Sequence, residues 1–236
     1  MNKKKPGYIL VFMLTICVVF GTGVAAVHDA TQDMLEKNKR LHRNRVICRA
    51  FLLPVEKESA QAYEEAMAKF IRVETRGQGD HKRNVYFRKD SGGQGVIGFD
   101  ISGMGFWDRI DAIVVLTADL KEMVNIQFFD HKETPGLGAR IEENWFTSQF
   151  KGLKIAWDKP EGERVIIGPS PDPNAANRVD AITGATQTST ALMRFLNQEL
   201  AEIRDLNLSG KRTVHTNDGA KLISALCLKN NSKKSE

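Results

Sequence analysis

Residues 7–27, Gly-Tyr-Ile-Leu-Val-Phe-Met-Leu-Thr-Ile-Cys-Val-Val-Phe-Gly-Thr-Gly-Val-Ala-Ala-Val, carry no charge. That run restricts the backbone more than any other part of the chain. As a helix it is long enough to cross a hydrocarbon core of roughly 30 Å, and within lipid an open strand or loop would leave its amides unsatisfied. A transmembrane helix over 8–27 is therefore expected, behind a short cytoplasmic N-terminus, 1–7, that holds Lys3, Lys4 and Lys5. The competing reading is a cleaved signal peptide: Tyr8–Phe20 has signal-like length and Val24-Ala25-Ala26 offers a small-residue cleavage site. Leu14-Thr15-Ile16-Cys17 is a poor lipobox, because Ile precedes the Cys. On either reading the rest of the chain is expected to be exported. Close to the membrane the N-terminal lysines dominate, since only Lys37 lies within ten residues of Val27 on the other side. Residues 28–55 then read as a basic stalk or domain-entry helix. Met34, Leu35, Leu41, Val46 and Ile47 form a seam, and Lys37, Lys39, Arg40, Arg43 and Arg45 cover the rest. A solvated stalk and a contact with lipid headgroups or a partner subunit both fit that pattern.

The net charge of +5 suggests nucleic acid only until it is mapped along the chain. Residues 1–55 and 209–236 are basic, whereas 56–208 hold 19 basic and 24 acidic side chains. An acidic body with basic ends argues against a DNA-binding stripe, and no nucleic-acid partner is expected. The tail, 209–236, is polar, and its Lys229–Glu236 end is expected to be disordered. Cys17, Cys48 and Cys227 are odd in number. Cys48 and Cys227 are free to pair, though nothing in their spacing demands it. No Cys-x-x-Cys or Cys/His cluster exists, so no metal site is expected.

Between the ends the pattern is mixed. Glu56–Ile71 reads as a helix after Pro54. Val85–Arg88, Gly95–Phe99, Ala112–Thr117 and Val124–Phe129 read as strands separated by turn-rich stretches. Val114–Leu116 is continuously apolar, whereas Ile126 and Phe128 alternate with Asn125 and Gln127, which suits a sheet with a helix-covered face. A short helix over Glu142–Phe150, strands at Leu153–Trp157 and Arg164–Ile167, and a longer helix over Thr188–Asp205 complete the body. Strands and helices without regular alternation indicate α+β, with a mixed or antiparallel sheet, in one domain over 56–208. Gly93-Gln94-Gly95-Val96-Ile97-Gly98 matches Gly-x-Gly-x-x-Gly but opens no helix, so it reads as a turn and strand edge rather than a dinucleotide fingerprint.

Two stretches suggest a site. In Asp180-Ala181-Ile182-Thr183-Gly184-Ala185-Thr186-Gln187-Thr188, hydroxyl residues flank a Gly-Ala step just before a helix. The first amides of a helix lack intrahelical partners and carry partial positive charge, and Gly184 permits close approach to the backbone. That combination can hold a phosphate, and the absence of a Gly-Lys-Ser/Thr step excludes a nucleotide-hydrolysing P-loop. The second stretch, Asp130-His131-Lys132-Glu133-Thr134-Pro135-Gly136-Leu137-Gly138, follows a strand and reads as a sharp turn. Such a turn can lie against a flat aromatic ligand, with Leu137 as an apolar contact, or it can be a plain strand-to-helix connection.

Asp-x-x-Thr-Gly-Ala-Thr-x-Thr resembles the flavinylation motif of the FMN-binding domain family, and Glu-Thr-Pro-Gly-Leu-Gly resembles that family's second signature, some fifty residues upstream. Gly103-Met104-Gly105-Phe106-Trp107 is a third, weaker match. Thr183 stands where Ser is frequent and keeps the hydroxyl. The family includes subunits of sodium-pumping NADH:quinone reductases and of Rnf complexes. The resemblance implies that Thr186 carries FMN as a covalent phosphoester made by a dedicated flavin transferase. It further implies that Asp180, Thr183, Gly184 and Ala185 frame the attachment, and that Glu133, Thr134, Gly136, Leu137, Gly138 and Trp107 contact the cofactor. The cytoplasmic (inner) membrane of a bacterium is implied, with the flavin domain on its outer, periplasmic face and other membrane subunits of an Nqr- or Rnf-type complex as partners. Arg178 and Lys132 are candidates to neutralise the phosphate, and Asp180 is either an Asx-turn or cap residue or a group used by the transferase. Nothing resembles a nicotinamide site, so an electron carrier without a catalytic constellation of its own is expected, with ion pumping left to other subunits: one apolar segment without buried charge is no ion path. A covalent-flavin shuttle of another reductase system and a non-redox anchored binding protein are the alternatives.

Overall fold

The computed structural model describes residues 6–77, 82–88 and 95–208. The lysines at 3–5, Gly93 and Gln94, Cys227 and the 209–236 tail lie outside the described residues. The chain divides into two compact units, Met1–Arg43 and Asn44–Glu236.

The first unit is helical. α1 (Pro6–Ala50) is 45 residues long, and its apolar part is long enough to cross a membrane, with its side chains outside any protein core. The helix runs through residue 28 without a break, so the expected spanning helix and the helix after it are continuous.

The second unit begins with the last turns of α1. Val46, Ile47, Cys48 and Ala50 are buried there, as are Phe51 and Leu53. The end of the stalk or domain-entry helix is thus core. The reason is a packing site that only the folded sheet provides: a Cβ added at Gly98 would lie 2.7 Å from the Phe51 ring, and Phe51 meets Tyr86 edge to face at 6.5 Å. Asn125, itself buried, donates from Nδ2 to the carbonyls of Arg49 and Ala50 and so satisfies the end of α1. Each large apolar side chain buried in this way contributes about 1.5–3 kcal/mol.

α2 (Ala60–Phe70) starts later than expected because Ser59 caps it, its hydroxyl accepting from Ala62 N–H. β1 (Ile71–Arg76), β2 (Arg83–Arg88), β3 (Val96–Met104), β4 (Arg109–Thr117) and β5 (Glu122–Asp130) follow. With β6 (Leu153–Lys154) they form one antiparallel meander in the order β1-β2-β3-β4-β5-β6. Between β5 and β6 the expected helix is reduced to one turn, α3 (Asn144–Thr147), between two 3-10 turns. β7 (Ile166–Ile167) and β8 (Arg178–Val179) form a separate parallel pair, and α4 (Thr186–Leu208) closes the domain.

β4 is buried on both faces. Ala112, Val114 and Leu116 join the main core with Leu192, Phe195, Leu196, Leu200 and Ile203 of α4. Gly103 lets α4 sit this close to β3, since a Cβ there would fall 2.3 Å from Phe195 Cβ. Arg83 ties β2 to α4 through Glu199 at 2.6 Å and through Glu202. On the other face, Gly98 and Ile113 meet Phe51. The body is α+β, as the pattern predicts.

Candidate functional site

The site gathers where β3 turns into β4, where β5 ends, and where α4 begins. The register between β4 and β5 slips at Asp111/Ala112, where Asp111 pairs with Asp130 but Ala112 pairs with Phe128. The slip bends β5 just before the 131–138 turn. That turn closes through Leu137 N–H and Ala139 N–H, which both donate to the Thr134 carbonyl. Gly136 takes a φ of +75°, which favours glycine.

Glu133 holds the three segments together. It is 4 % exposed. Its Oε1 accepts from the backbone N–H of Phe106 at 2.8 Å and of Trp107 at 3.1 Å. Its Oε2 accepts from Thr188 Oγ1 on the first turn of α4 at 2.6 Å. Two glycines make room for it. A Cβ on Gly105 would meet Oε1 at 2.5 Å, and one on Gly138 would meet Thr188 Oγ1 at 2.5 Å and Oε2 at 2.8 Å. Both carboxylate oxygens therefore serve the protein. Glu133, expected beside the cofactor, has its side chain turned inward, where it fixes loop 105–108 and the start of α4.

Other contacts repeat the same connection. Trp107 Nε1–H donates to Thr134 Oγ1 at 2.9 Å, and Lys132 Nζ donates to Asp108 Oδ2 at 2.5 Å. The hydrogen bond from the Lys132 ammonium holds the Asp108 carboxyl below the usual range. Trp107 nevertheless keeps an open ring: it is 63 % exposed, and Phe106 and Leu137 are also exposed. Exposed aromatic and aliphatic groups held by satisfied backbone contacts form an apolar ledge.

Leu137 reaches from this ledge to the Gly-Ala step: a Cβ added at Gly184 would lie 3.3 Å from Leu137 Cδ2. Gly184 has a φ of +81°, a backbone conformation costly for other residues. The two sequence motifs, about fifty residues apart, are thus in contact. α4 begins at Thr186, two residues earlier than expected. The residue before it is Ala185, whose methyl group is buried and cannot cap amides. Ser189 ties the turn down by accepting Ile182 N–H at its Oγ. Thr183, Gly184 and Thr186 stay exposed. The result is an exposed threonine at a helix start that Ala185 cannot cap, close to an apolar ledge.

Asp180 neither caps α4 nor closes an Asx turn. Its Oδ1 accepts from Arg178 Nη2 at 2.6 Å, and its N–H donates to Gln149 Oε1. Each nitrogen of Arg178 has a protein acceptor, because Nε and Nη1 donate to the carbonyls of Gly168 and Pro173. The two cations expected to face a phosphate, Arg178 and Lys132, are thus both given to protein acceptors. Beside Thr183 lies a cleft of about 540 Å³, lined also by Arg140, Trp145, Gly168 and Asp180. Its Trp145, with Arg140 over the ring at 5.2 Å, has no counterpart among the expected site residues; nothing in its local sequence distinguishes it from a core tryptophan. Among the described residues no group of three or more His, Cys, Asp or Glu is placed to hold a metal ion.

Residues 105–201 match the FMN-binding domain family. The chain is similar to the NqrC protein of the Na(+)-translocating NADH-quinone reductase of Yersinia pestis, 34% identical over 122 residues, which are 50% of this chain and 45% of that protein. It is 25% identical to the corresponding Chlamydia pneumoniae protein over 175 residues, 67% of this chain and 54% of that one. The chain therefore spans about half the length of these curated relatives. Among solved structures, the NqrC protein of a Na(+)-translocating NADH-quinone reductase from Parabacteroides distasonis superposes with a TM-score of 0.62 at 22% identity, covering 74% of this chain and 96% of that one. The Shewanella oneidensis NqrC superposes with a TM-score of 0.56 at 18% identity, covering 69% and 92%. At such identities the likeness establishes the fold: helices packed on an antiparallel sheet.

Proposed function

We propose, on the premise that residues 105–201 match the FMN-binding domain family, that this chain is an electron-transfer subunit that carries FMN as a phosphoester on Thr186. The observation that carries the reading is the contact between the two motifs, Gly184 against Leu137, with Thr186 exposed two residues further on and Leu137 and Trp107 exposed on the other motif's side. The residues fit such a group. The first amides of α4 have no side-chain cap from Ala185, and a phosphodiester with its remaining negative charge would satisfy them. Gly184 adds no side chain in front of them. Leu137, Trp107 and Phe106 offer apolar surface to a flat ring, and Thr134 and Gly138 shape the turn that presents Leu137. FMN supplies the redox chemistry when bound; the chain supplies a seat, an orientation and partial exclusion of water. Backbone dipoles at the helix start contribute to neutralisation, while Arg178 and Lys132 each already hold a carboxylate.

In this reading the apolar part of α1 anchors the chain in the bacterial inner membrane, with the flavin domain on its outer face. A flavin transferase attaches the cofactor, and electrons pass to or from other membrane subunits of an Nqr- or Rnf-type complex. Ion movement belongs to those subunits, because a single uncharged helix has no path for an ion. A tether suits an exported site, where lost cofactor is not easily replaced.

The test is in-gel flavin fluorescence after denaturation of the membrane-expressed chain together with a flavin transferase. Fluorescence is expected on the wild-type polypeptide and on Thr186→Ser, and is expected to vanish in Thr186→Ala. Flavin that persists on Thr186→Ala sinks the assignment, and a wild-type band without flavin favours the non-redox anchored protein.

A further inference from the structure

The turn that presents Glu133 has its own support, and that support is a titrating group. His131 lies between the end of β5 and Glu133, with a side chain only 11 % exposed. Its Nδ1 accepts the backbone N–H of Glu133 at 3.2 Å. Its Nε2 faces Glu142 Oε1, on the 3-10 turn after Leu137, at 3.2 Å. An imidazole nitrogen can accept only while it carries no proton. The arrangement therefore requires one tautomer, with the proton on Nε2 toward Glu142 and the lone pair on Nδ1 toward the Glu133 amide.

We propose that His131 is a positioning residue for the Thr186 seat: neutral, it holds the Glu133 turn in place, and protonated, it releases that turn. The chain of contacts is short. His131 holds the Glu133 amide; the Glu133 carboxylate holds the Phe106 and Trp107 amides on one side and Thr188 of α4 on the other. Loss of the first bond loosens the group that sets both the ledge and the helix start. Protonation is not merely disruptive, because it strengthens the pair with Glu142. The charged groups acting on His131 are Glu142 from the 3-10 turn, and Glu133 and Asp130 from its own segment; Lys132 is turned away to Asp108. The hydrogen bond to Glu142, the largest of these influences, raises the His131 pKa from its ordinary value, against the opposing effect of burial. As pH falls through that raised value the protein exchanges the Nδ1–amide bond for a full ion pair with Glu142. As pH rises through it the ion pair is lost and the turn is held.

The inference rests on the flavin reading only for what the seat holds; the linkage itself belongs to the protein and is read without flavin. The experiment follows the indole N–H resonance of Trp107 in the full-length, ¹⁵N-labelled chain in detergent, assigned with Trp107→Phe, across the neutral pH range, with and without attached flavin. In the wild type the resonance is expected to move with a midpoint above about 6.5, the ordinary histidine value. His131→Asn keeps an acceptor near Nδ1 but cannot titrate; its resonance is expected to stay at the wild-type high-pH position throughout. His131→Leu is expected to shift it at every pH, and Glu142→Gln to lower the midpoint. A titration unchanged in His131→Asn, or a wild-type resonance that does not move, overturns the proposal. Flavin on a denaturing gel of the same samples reports separately on the attachment, so failure of one reading is distinguishable from failure of the other.

Discussion

Thr188→Val tests the joint on which the site is built. Thr188 is 3 % exposed and gives its hydroxyl to Glu133 Oε2 at 2.6 Å. Valine has nearly the same shape and nearly the same helix propensity, so the substitution removes one donor and little else. A buried carboxylate oxygen then loses the donor it has among the described residues. Hydrogen bonds to charged groups contribute about 1.5–3 kcal/mol, and a buried acceptor left without a partner bears that full cost. For a domain of this size each kcal/mol lowers Tm by about 2–4 °C, giving an expected fall of about 3–12 °C. Thr190→Val, at an exposed position on the same helix, is the control and is expected to change stability by no more than about 0.5 kcal/mol. The assay is thermal unfolding followed by far-UV circular dichroism on the full chain, completed as a double-mutant cycle with Glu133→Gln. A coupling of about 0.5–3 kcal/mol is expected. If Thr188→Val unfolds with Thr190→Val, or if the cycle closes with no coupling, Glu133 does not join α4 to the two loops and the account of the site fails.

Gly184→Ala places a side chain at a φ of +81° with its Cβ 3.3 Å from Leu137, and is expected to cost about 1–2 kcal/mol, whereas Gly162→Ala, in open space, is expected to be near neutral; equal melting curves would refute the strain at Gly184. Burial pushes the Cys48 thiol up to about 11, so at pH 8 only about one molecule in a thousand carries the reactive thiolate. In a chain with Cys17→Ser and Cys227→Ser, maleimide labelling of Cys48 is expected to need denaturant, and rapid labelling of the native protein would contradict its burial.

The α+β class was legible because β4 and β5 differ in pattern: continuous apolar residues on a strand covered on both faces, alternation on its neighbour. The site was legible in its motifs, because Gly136 and Gly184 adopt backbone conformations that favour glycine, and such requirements are written locally. What was not legible is instructive. Residues 44–53 carry basic residues at helical spacing, which fits a solvated stalk as well as a helix entering the domain; Ile47, Ala50 and Phe51 are core. Their partner is the face of a sheet formed by residues far along the chain, and no local pattern announces it. β1 and β8 were missed for a similar reason: half of β1 is charged and it gains its strand state from pairing with β2, and β8 is two residues long. Trp145 was missed because an exposed tryptophan and a core tryptophan are the same letter.

Glu133 separates the two kinds of knowledge most clearly. Its motif pointed to the site. Burial decided how its oxygens are satisfied, since a carboxylate 4 % exposed must take partners from whatever surrounds it, and here the surroundings are the Phe106 and Trp107 amides and Thr188. The sequence by itself determined where the helix-start hydroxyl, the glycine turns and the uncharged run lie, because each is a property of a few consecutive residues. Only the tertiary structure decided which groups face outward at Thr186 and which are spent holding the seat together, because hydrogen-bond satisfaction in a core depends on neighbours that are distant along the chain.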